Sequence, residues 1–237
     1  SLETHSLRIR PRKVHDSVMR APATALVMHP VVRDELLRPD HIKRIERACF
    51  LISVDPFRQF IEMGEAIAQV EILITSWGAP RIDHTALSAF PKLKLIAHLA
   101  GSVKGFIDES AWNRGVRVTN AVAANAVPVA QYTLAAILFA NKRVFQLNRF
   151  YTEYRENRAP WTKEAPNVGN YEKTIGVVGA SHVGRALLEL LQPFDFKILL
   201  YDPYLSPLSA REIGATKVGL SELLSQSDVI SLHVPLL

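Results

Sequence analysis

The stretch Thr174-Ile175-Gly176-Val177-Val178 reads as a strand and runs straight into Gly179-Ala180-Ser181-His182-Val183-Gly184, after which Arg185-Ala186-Leu187-Leu188-Glu189-Leu190-Leu191 has helical spacing. A strand, a glycine turn and a helix in that order present free backbone N–H groups at the helix start, where they can hold a diphosphate. Gly179 suits the tight turn and Gly184 a close packing of helix on strand. Ser181 replaces the middle glycine of the G-x-G-x-x-G spacing: its Cβ stands where a phosphate would approach, and its hydroxyl can donate to it. The next strand ends in Leu199-Leu200-Tyr201-Asp202-Pro203, which puts an acid 18 residues after Gly184. A carboxylate at that distance accepts from an adenosine 2′-OH and repels a 2′-phosphate, so the spacing predicts NAD rather than NADP. The rival reading of Asp202-Pro203 is the start of a turn.

These residues need a parallel sheet to position them, and the chain has the alternation that builds one. Short runs rich in β-branched residues predict strands at 25–28, 50–54, 72–75, 93–98 and 117–119, with helices predicted at 34–47, 57–69 and 83–90. An uncharged stretch then predicts one long helix from about Asn125 toward Arg149, with Pro128 in its first turn. A loop is predicted over 155–170. A second alternating set follows, with strands at 174–178, 197–201, 216–218 and 229–234 and helices at 183–191, 209–214 and 220–226. The pattern is α/β, with a basic arm over 1–20, a first α/β domain over 21–124 and a Rossmann domain over 125–237. A last strand at 229–234 left as an edge would expose unpaired backbone groups beside apolar surface, so the natural protein is expected to continue beyond Leu237.

Composition excludes other classes. With 237 residues, 48% hydrophobic and 22% charged, the chain is globular rather than disordered. The net charge of +5 sits largely at the N-terminus, where Arg8, Arg10, Arg12, Lys13 and Arg20 oppose only Glu3 and Asp16. No aromatic residue is interleaved there, which speaks for a solvated arm and against a nucleic-acid partner. A single cysteine, Cys49, excludes an intrachain disulfide and fits a reducing, cytoplasmic compartment. Residues 118–141 carry no charge, long enough to span a bilayer, but Asn120, Asn125, Pro128 and Gln131 interrupt them. Unpaired amides are costly in hydrocarbon, so a buried helix of a soluble protein is expected, with no membrane partner. No histidine and acid have the spacing of a metal site.

The segment from Thr174 to Pro203 resembles the NAD-binding part of the D-isomer-specific 2-hydroxyacid dehydrogenases. The resemblance extends to Leu95-Ile96-Ala97-His98-Leu99-Ala100-Gly101-Ser102-Val103-Lys104-Gly105, similar to the loop that offers backbone N–H groups to a substrate carboxylate. It takes in Val118-Thr119-Asn120, the stretch from Ala124 to Gln131, and His233-Val234-Pro235, which matches the family's strand end beside the adenine. It implies a flavodoxin-like substrate domain ahead of a Rossmann domain, a small 2-oxo acid as substrate, NAD as cofactor and a homodimer. It assigns substrate contacts to Ser102, Val103 and Lys104, and cofactor contacts to Gly179, Ala180, Ser181, His182, Val183, Gly184, Asp202, His233, Val234 and Pro235. Trp77 and Asn125 are further substrate candidates, weighed against loop packing for Trp77 and helix capping for Asn125. The family's catalytic Arg, acid and His would lie beyond Leu237, so no position here inherits those roles and the catalytic residues are unknown. Among the histidines present, His98 reads as a satisfied core residue and His29 and His182 as loop donors. Two functions compete: an NAD-dependent dehydrogenase, and a non-catalytic NAD-binding sensor on the same fold. Formate dehydrogenase, which shares the fold, draws little from the 102–104 loop.

Overall fold

A computed structural model describes residues 9–10, 21–155 and 167–234. The chain divides into two compact units, Ser1–Val122 and Ala123–Leu237. Each has its own parallel sheet and its own core.

In the first unit the sheet runs β2-β1-β3-β4-β5, the flavodoxin-like order. Its strands are β1 (Ala23–Val27), β2 (Phe50–Leu51), β3 (Ile72–Thr75), β4 (Leu95–His98) and β5 (Arg117–Asn120). Every β1 residue is buried, as expected of a central parallel strand covered on both faces. The one polar residue there, Thr24, meets the cost of burial by donating its hydroxyl to the Pro22 carbonyl at 3.1 Å. Phe57, Phe90, Leu73, Ile82 and Ile96 fill one side of the sheet; Leu26, Met28, Leu51 and Ile74 fill the other.

Several helices differ from the sequence expectation, each for a local reason. The helix expected over 34–47 is two, α1 (Pro30–Leu36) and α2 (Pro39–Ala48). A proline suits a helix's first turn and lacks the N–H that would continue a preceding one, so Pro39 starts afresh. The 57–69 helix is a 3-10 segment, Phe60–Gln69, broken where Gly64 takes φ +52°. Phe57 instead bridges to Val27 of β1. The expected 83–90 helix is the short α3 (His84–Ser88), with the Asp83 carboxylate accepting the Ala86 N–H at 2.8 Å. The turn α4 (Ser110–Asn113) had no signal in the sequence. Of the expected arm, Ile9 and Arg10 are described: Arg10 donates its N–H to Ile52 O at 2.8 Å and pairs with Glu46 at 2.7 Å. The rest of residues 1–20 lies outside the described residues.

The uncharged stretch is α5 (Val122–Asn141), followed by α6 (Val144–Tyr154). Both of its expected ends shift. Asn120 Oδ1 accepts the Val122 N–H at 3.2 Å, so the helix begins a turn early and Pro128 falls inside it rather than in its first turn. Arg143, at φ +47°, ends the run that was expected to reach Arg149. Ala126, Ala130, Ile137 and Asn141 are buried at helical intervals and define the inward face. Ala130 and Ile137 belong to the core of the second unit.

The second sheet runs β8-β7-β6-β9, from β6 (Thr174–Val178), β7 (Lys197–Tyr201), β8 (Thr216–Lys217) and β9 (Val229–Leu232). Helices α7 (His182–Leu191), α8 (Pro207–Glu212) and α9 (Leu220–Gln226) make the crossovers. Leu187, Leu188 and Leu191 of α7 pack on Ile175, Val177 and Leu200. On the other face, α9 sits close to β6 because Gly176 has no side chain: a Cβ there would meet the Ser227 hydroxyl, and Leu223 Cδ2 at 2.7 Å. Gly176→Ala is therefore expected to destabilise the second unit by about 1–3 kcal/mol through overpacking. Urea unfolding followed by circular dichroism should show the midpoint falling; an unchanged midpoint would mean that α9 is free to move away.

Candidate nucleotide and substrate sites

The glycine turn lies at the carboxyl end of β6, where open α/β sheets place their ligands. Gly179, at φ +94°, supplies a conformation closed to most residues. A Cβ on it would also sit 2.8 Å from Val234 Cγ1 and 2.9 Å from the His233 carbonyl oxygen. Gly184 lets the first turn of α7 lie on the Gly179 carbonyl, into which a Cβ would run. Both glycines are thus demanded by protein packed on protein. Ser181 is extended, at φ −65°, and so needs no glycine; it caps α7, its hydroxyl accepting the Gly184 N–H at 3.4 Å.

The turn's N–H groups fall into two sets. Those of Gly179 and Ala180 point back at β7: Gly179 donates to Tyr201 O at 2.8 Å and Ala180 to Asp202 Oδ2 at 2.8 Å. Those of Ser181, His182 and Val183 have no hydrogen-bond partner among the described residues. Three free donors at the N-terminus of a ten-residue helix form an anion cradle suited to a diphosphate. Asp202 stands beside it, its Oδ1 accepting the Tyr204 N–H at 2.8 Å. Burial pushes this carboxyl up, but the N–H groups of Ala180, Tyr204 and Leu205 and the Lys217 ammonium outweigh burial and hold it below the usual carboxylate range. It is an anion at neutral pH.

His233 continues from β9 with its N–H on Val178 O at 2.8 Å and its ring nitrogen Nε2 2.8 Å from the Ser231 hydroxyl. The structure therefore gathers Gly179, Ala180, Ser181, His182, Val183, Gly184, Asp202, His233 and Val234 at one sheet edge. Pro235 lies outside the described residues. Two contributors escaped the sequence reading. Arg185 donates Nε to Ala180 O at 3.0 Å, and Tyr201 contributes only its carbonyl. Neither role has a residue-type signature.

In the first unit, Trp77 and the 101–104 loop follow the carboxyl ends of the neighbouring strands β3 and β4. Trp77 is 51% exposed, and its carbonyl is held by the His29 N–H at 2.9 Å. His29 itself caps α1, Nδ1 accepting the Val31 N–H at 3.3 Å. The Ser102 hydroxyl takes the Lys104 N–H at 3.2 Å, so among the loop's amides those of Gly101, Ser102 and Val103 lack partners among the described residues. Lys104 is exposed. Asn125 departs from its expected place: it is the fourth residue of α5, not its cap, and it belongs to the second unit while Trp77 and Ser102 belong to the first. Below the loop, the buried His98 Nδ1 lies 2.9 Å from the Thr75 hydroxyl, with the ring against Phe106 at 4.9 Å between centroids.

Residues 134–237 match the model of the D-isomer specific 2-hydroxyacid dehydrogenase, NAD binding domain. This segment is similar to the NAD-binding domain of that family. The D-3-phosphoglycerate dehydrogenase of Mycobacterium bovis is 29% identical over 170 residues, which cover 72% of this chain and 31% of that protein. The glyoxylate reductase of Thermococcus litoralis is 33% identical over 175 residues, covering 73% of this chain and 53% of that protein. The chain thus spans from about a third to about half of the length of these curated relatives. Among solved structures, D-lactate dehydrogenase from Aquifex aeolicus, complexed with NAD and lactic acid, superposes with a TM-score of 0.67 at 24% identity, covering 90% of this chain and 61% of that one. That likeness extends the dehydrogenase fold over both units. NAD is the cofactor of this domain family, and the free amides of α7 together with Asp202 are the groups here that fit its diphosphate and adenosine ribose.

Burial pulls the proton affinity of His98 and of His233 below the ordinary histidine range. Below about pH 6.5 the unfolded chain binds protons at these positions that the folded chain refuses, so stability is complete above that pH and declines beneath it. Urea unfolding at pH 7.5 and pH 5.5 should give a lower midpoint at pH 5.5, with a smaller difference in His98→Asn. Equal pH dependence in the variant would place the sensitivity elsewhere.

Proposed function

We propose that the protein is an NAD-dependent oxidoreductase that interconverts a small 2-oxo acid and its D-2-hydroxy acid. The observation that carries this is the unpartnered amide triplet of Ser181, His182 and Val183 beside an ionised Asp202, within a segment of the dehydrogenases' NAD-binding family. When bound, the reduced nicotinamide would supply a hydride for the carbonyl carbon, and the oxygen would take up a proton. In this reading the diphosphate rests on the α7 amides with the Ser181 hydroxyl donating, and His182, Gly179, Gly184 and Ala180 frame it. Asp202 accepts from the adenosine ribose, and His233 and Val234 flank the adenine. The substrate carboxylate takes the free amides of Gly101, Ser102 and Val103, with Lys104 and Trp77 near it. The relatives named D-3-phosphoglycerate dehydrogenase and glyoxylate reductase support a small 2-oxo acid without choosing among them. The sensor alternative draws no support from the comparisons.

We assign the protein to the cytoplasm, as a soluble homodimer. By length and composition Val122–Asn141 could cross a membrane, yet its Ala130 and Ile137 are part of the core formed with β6 and α7. Its exposed Val127 and Tyr132, and Phe145 of α6, offer apolar surface for a second copy.

Fluorescence titration of the full-length protein should show NADH binding at least about tenfold tighter than NADPH, the effect of about 1.4 kcal/mol at the 2′ position. NADH oxidation should then appear with glyoxylate, pyruvate or hydroxypyruvate. A preference for NADPH would remove the role given to Asp202, and NADH binding without turnover of any 2-oxo acid would remove the dehydrogenase reading.

A further inference from the structure

Asp202 does something in this structure before any sugar reaches it. Its Oδ2 accepts the Ala180 N–H at 2.8 Å, across 22 positions of sequence, and its Oδ1 accepts the Tyr204 N–H at 2.8 Å. Ala180 is held from its other side as well, since the Arg185 guanidinium donates to its carbonyl at 3.0 Å. With Gly179 N–H on Tyr201 O at 2.8 Å, the chain just ahead of Ser181 is pinned at three points, two of them on the tip of β7. The free amides come next in the chain. Rotating the 179–180 or 180–181 peptide plane would swing Ser181 and redirect them.

We propose that Asp202 is a positioning residue for the diphosphate end of the nucleotide, acting through the Ala180 amide and independently of the ribose. The inference rests on the cofactor reading above. An ionised carboxylate offers about four acceptor positions, so the bonds to Ala180, Tyr204 and Leu205 still leave room for a ribose hydroxyl. Gripping the sugar and setting the turn therefore coexist in one side chain. A partly buried, charge-assisted bond is among the stronger ways to fix a peptide plane. Holding the amides in place beforehand removes the ordering cost that diphosphate binding would otherwise carry. Lys217 fits the same scheme: its ammonium donates to Leu205 O and counters the Asp202 charge, reducing the repulsion a diphosphate would feel.

The two roles separate when both sugar hydroxyls are removed from the ligand. Calorimetric titration of the full chain and of Asp202→Asn with ADP and with 2′,3′-dideoxy-ADP gives four affinities. Positioning predicts that Asp202→Asn weakens 2′,3′-dideoxy-ADP by at least about fivefold, and ADP by that factor or more. In amide-exchange NMR the same variant should speed exchange at Ala180 while core amides of β6 keep their protection, which distinguishes a loosened turn from a failing fold. If 2′,3′-dideoxy-ADP binds the variant and the parent equally, Asp202 only grips the sugar and the proposal falls. If Ala180 exchange is unchanged, it falls too. If the parent binds neither nucleotide, the cofactor reading fails and this inference with it.

Discussion

Gly184 lets α7 lie directly on the Gly179 carbonyl, and most of what the second unit can do follows from that approach. With any larger residue the helix would be pushed outward, and its first N–H groups would leave the edge formed by β6, β7 and β9. The same approach seats Leu187, Leu188 and Leu191 in the core beside Val177 and Leu200. Packing and anion binding are thus served by one contact. A glycine turn is sometimes read as room for a ligand; here the missing Cβ atoms of Gly179 and Gly184 make room for the protein itself, against His233, Val234 and the Gly179 carbonyl. Ser181 can then replace the middle glycine without backbone cost, because its conformation is an ordinary extended one.

The two sheets solve the problem of polar groups at their carboxyl ends in different ways. In the second unit an ionised carboxylate at the tip of β7 ties down the turn after β6, so charge and backbone dipoles organise the edge. In the first unit the neighbouring strands β3 and β4 end in a buried hydroxyl–imidazole pair, Thr75 and His98. Burial keeps that histidine neutral, and a neutral pair costs less to enclose than an ion. Ser76, next in the chain, is buried with its hydroxyl unpaired among the described residues. The exposed Trp77 and the free amides of the 101–103 stretch lie just beyond this layer.

Much of the fold was legible because it depends on local pattern. β3, β6 and β7 fall at the expected residues, since each is a short apolar run bounded by polar or turn residues. The helices were harder. Pro39 divides one expected helix, Gly64 breaks another, and Asn120 starts α5 a turn early by capping it from within β5. In each case a single residue's backbone or capping preference competes with a hydrophobic period that looks continuous. At the candidate site the glycine spacing and the acid at the end of β7 were readable as a pattern. That Asn125 sits inside a helix rather than at its cap was not, because the cap is set by a residue five positions earlier.

The amino-acid sequence by itself determined that the chain is α/β, that a strand-turn-helix with diphosphate chemistry lies at 174–191, and that the acid at 202 follows at ribose distance. These are properties of neighbours along the chain: residue period, glycine placement, strand length. Only the tertiary structure decided which amides of the turn are spent on β7 and which stay free, and that the Asp202 carboxylate holds Ala180. Those facts depend on the register of β6 against β7, where Val178 pairs with Tyr201. Register is a long-range agreement between two strands, fixed by the packing of both faces of the sheet, and no local spacing encodes it.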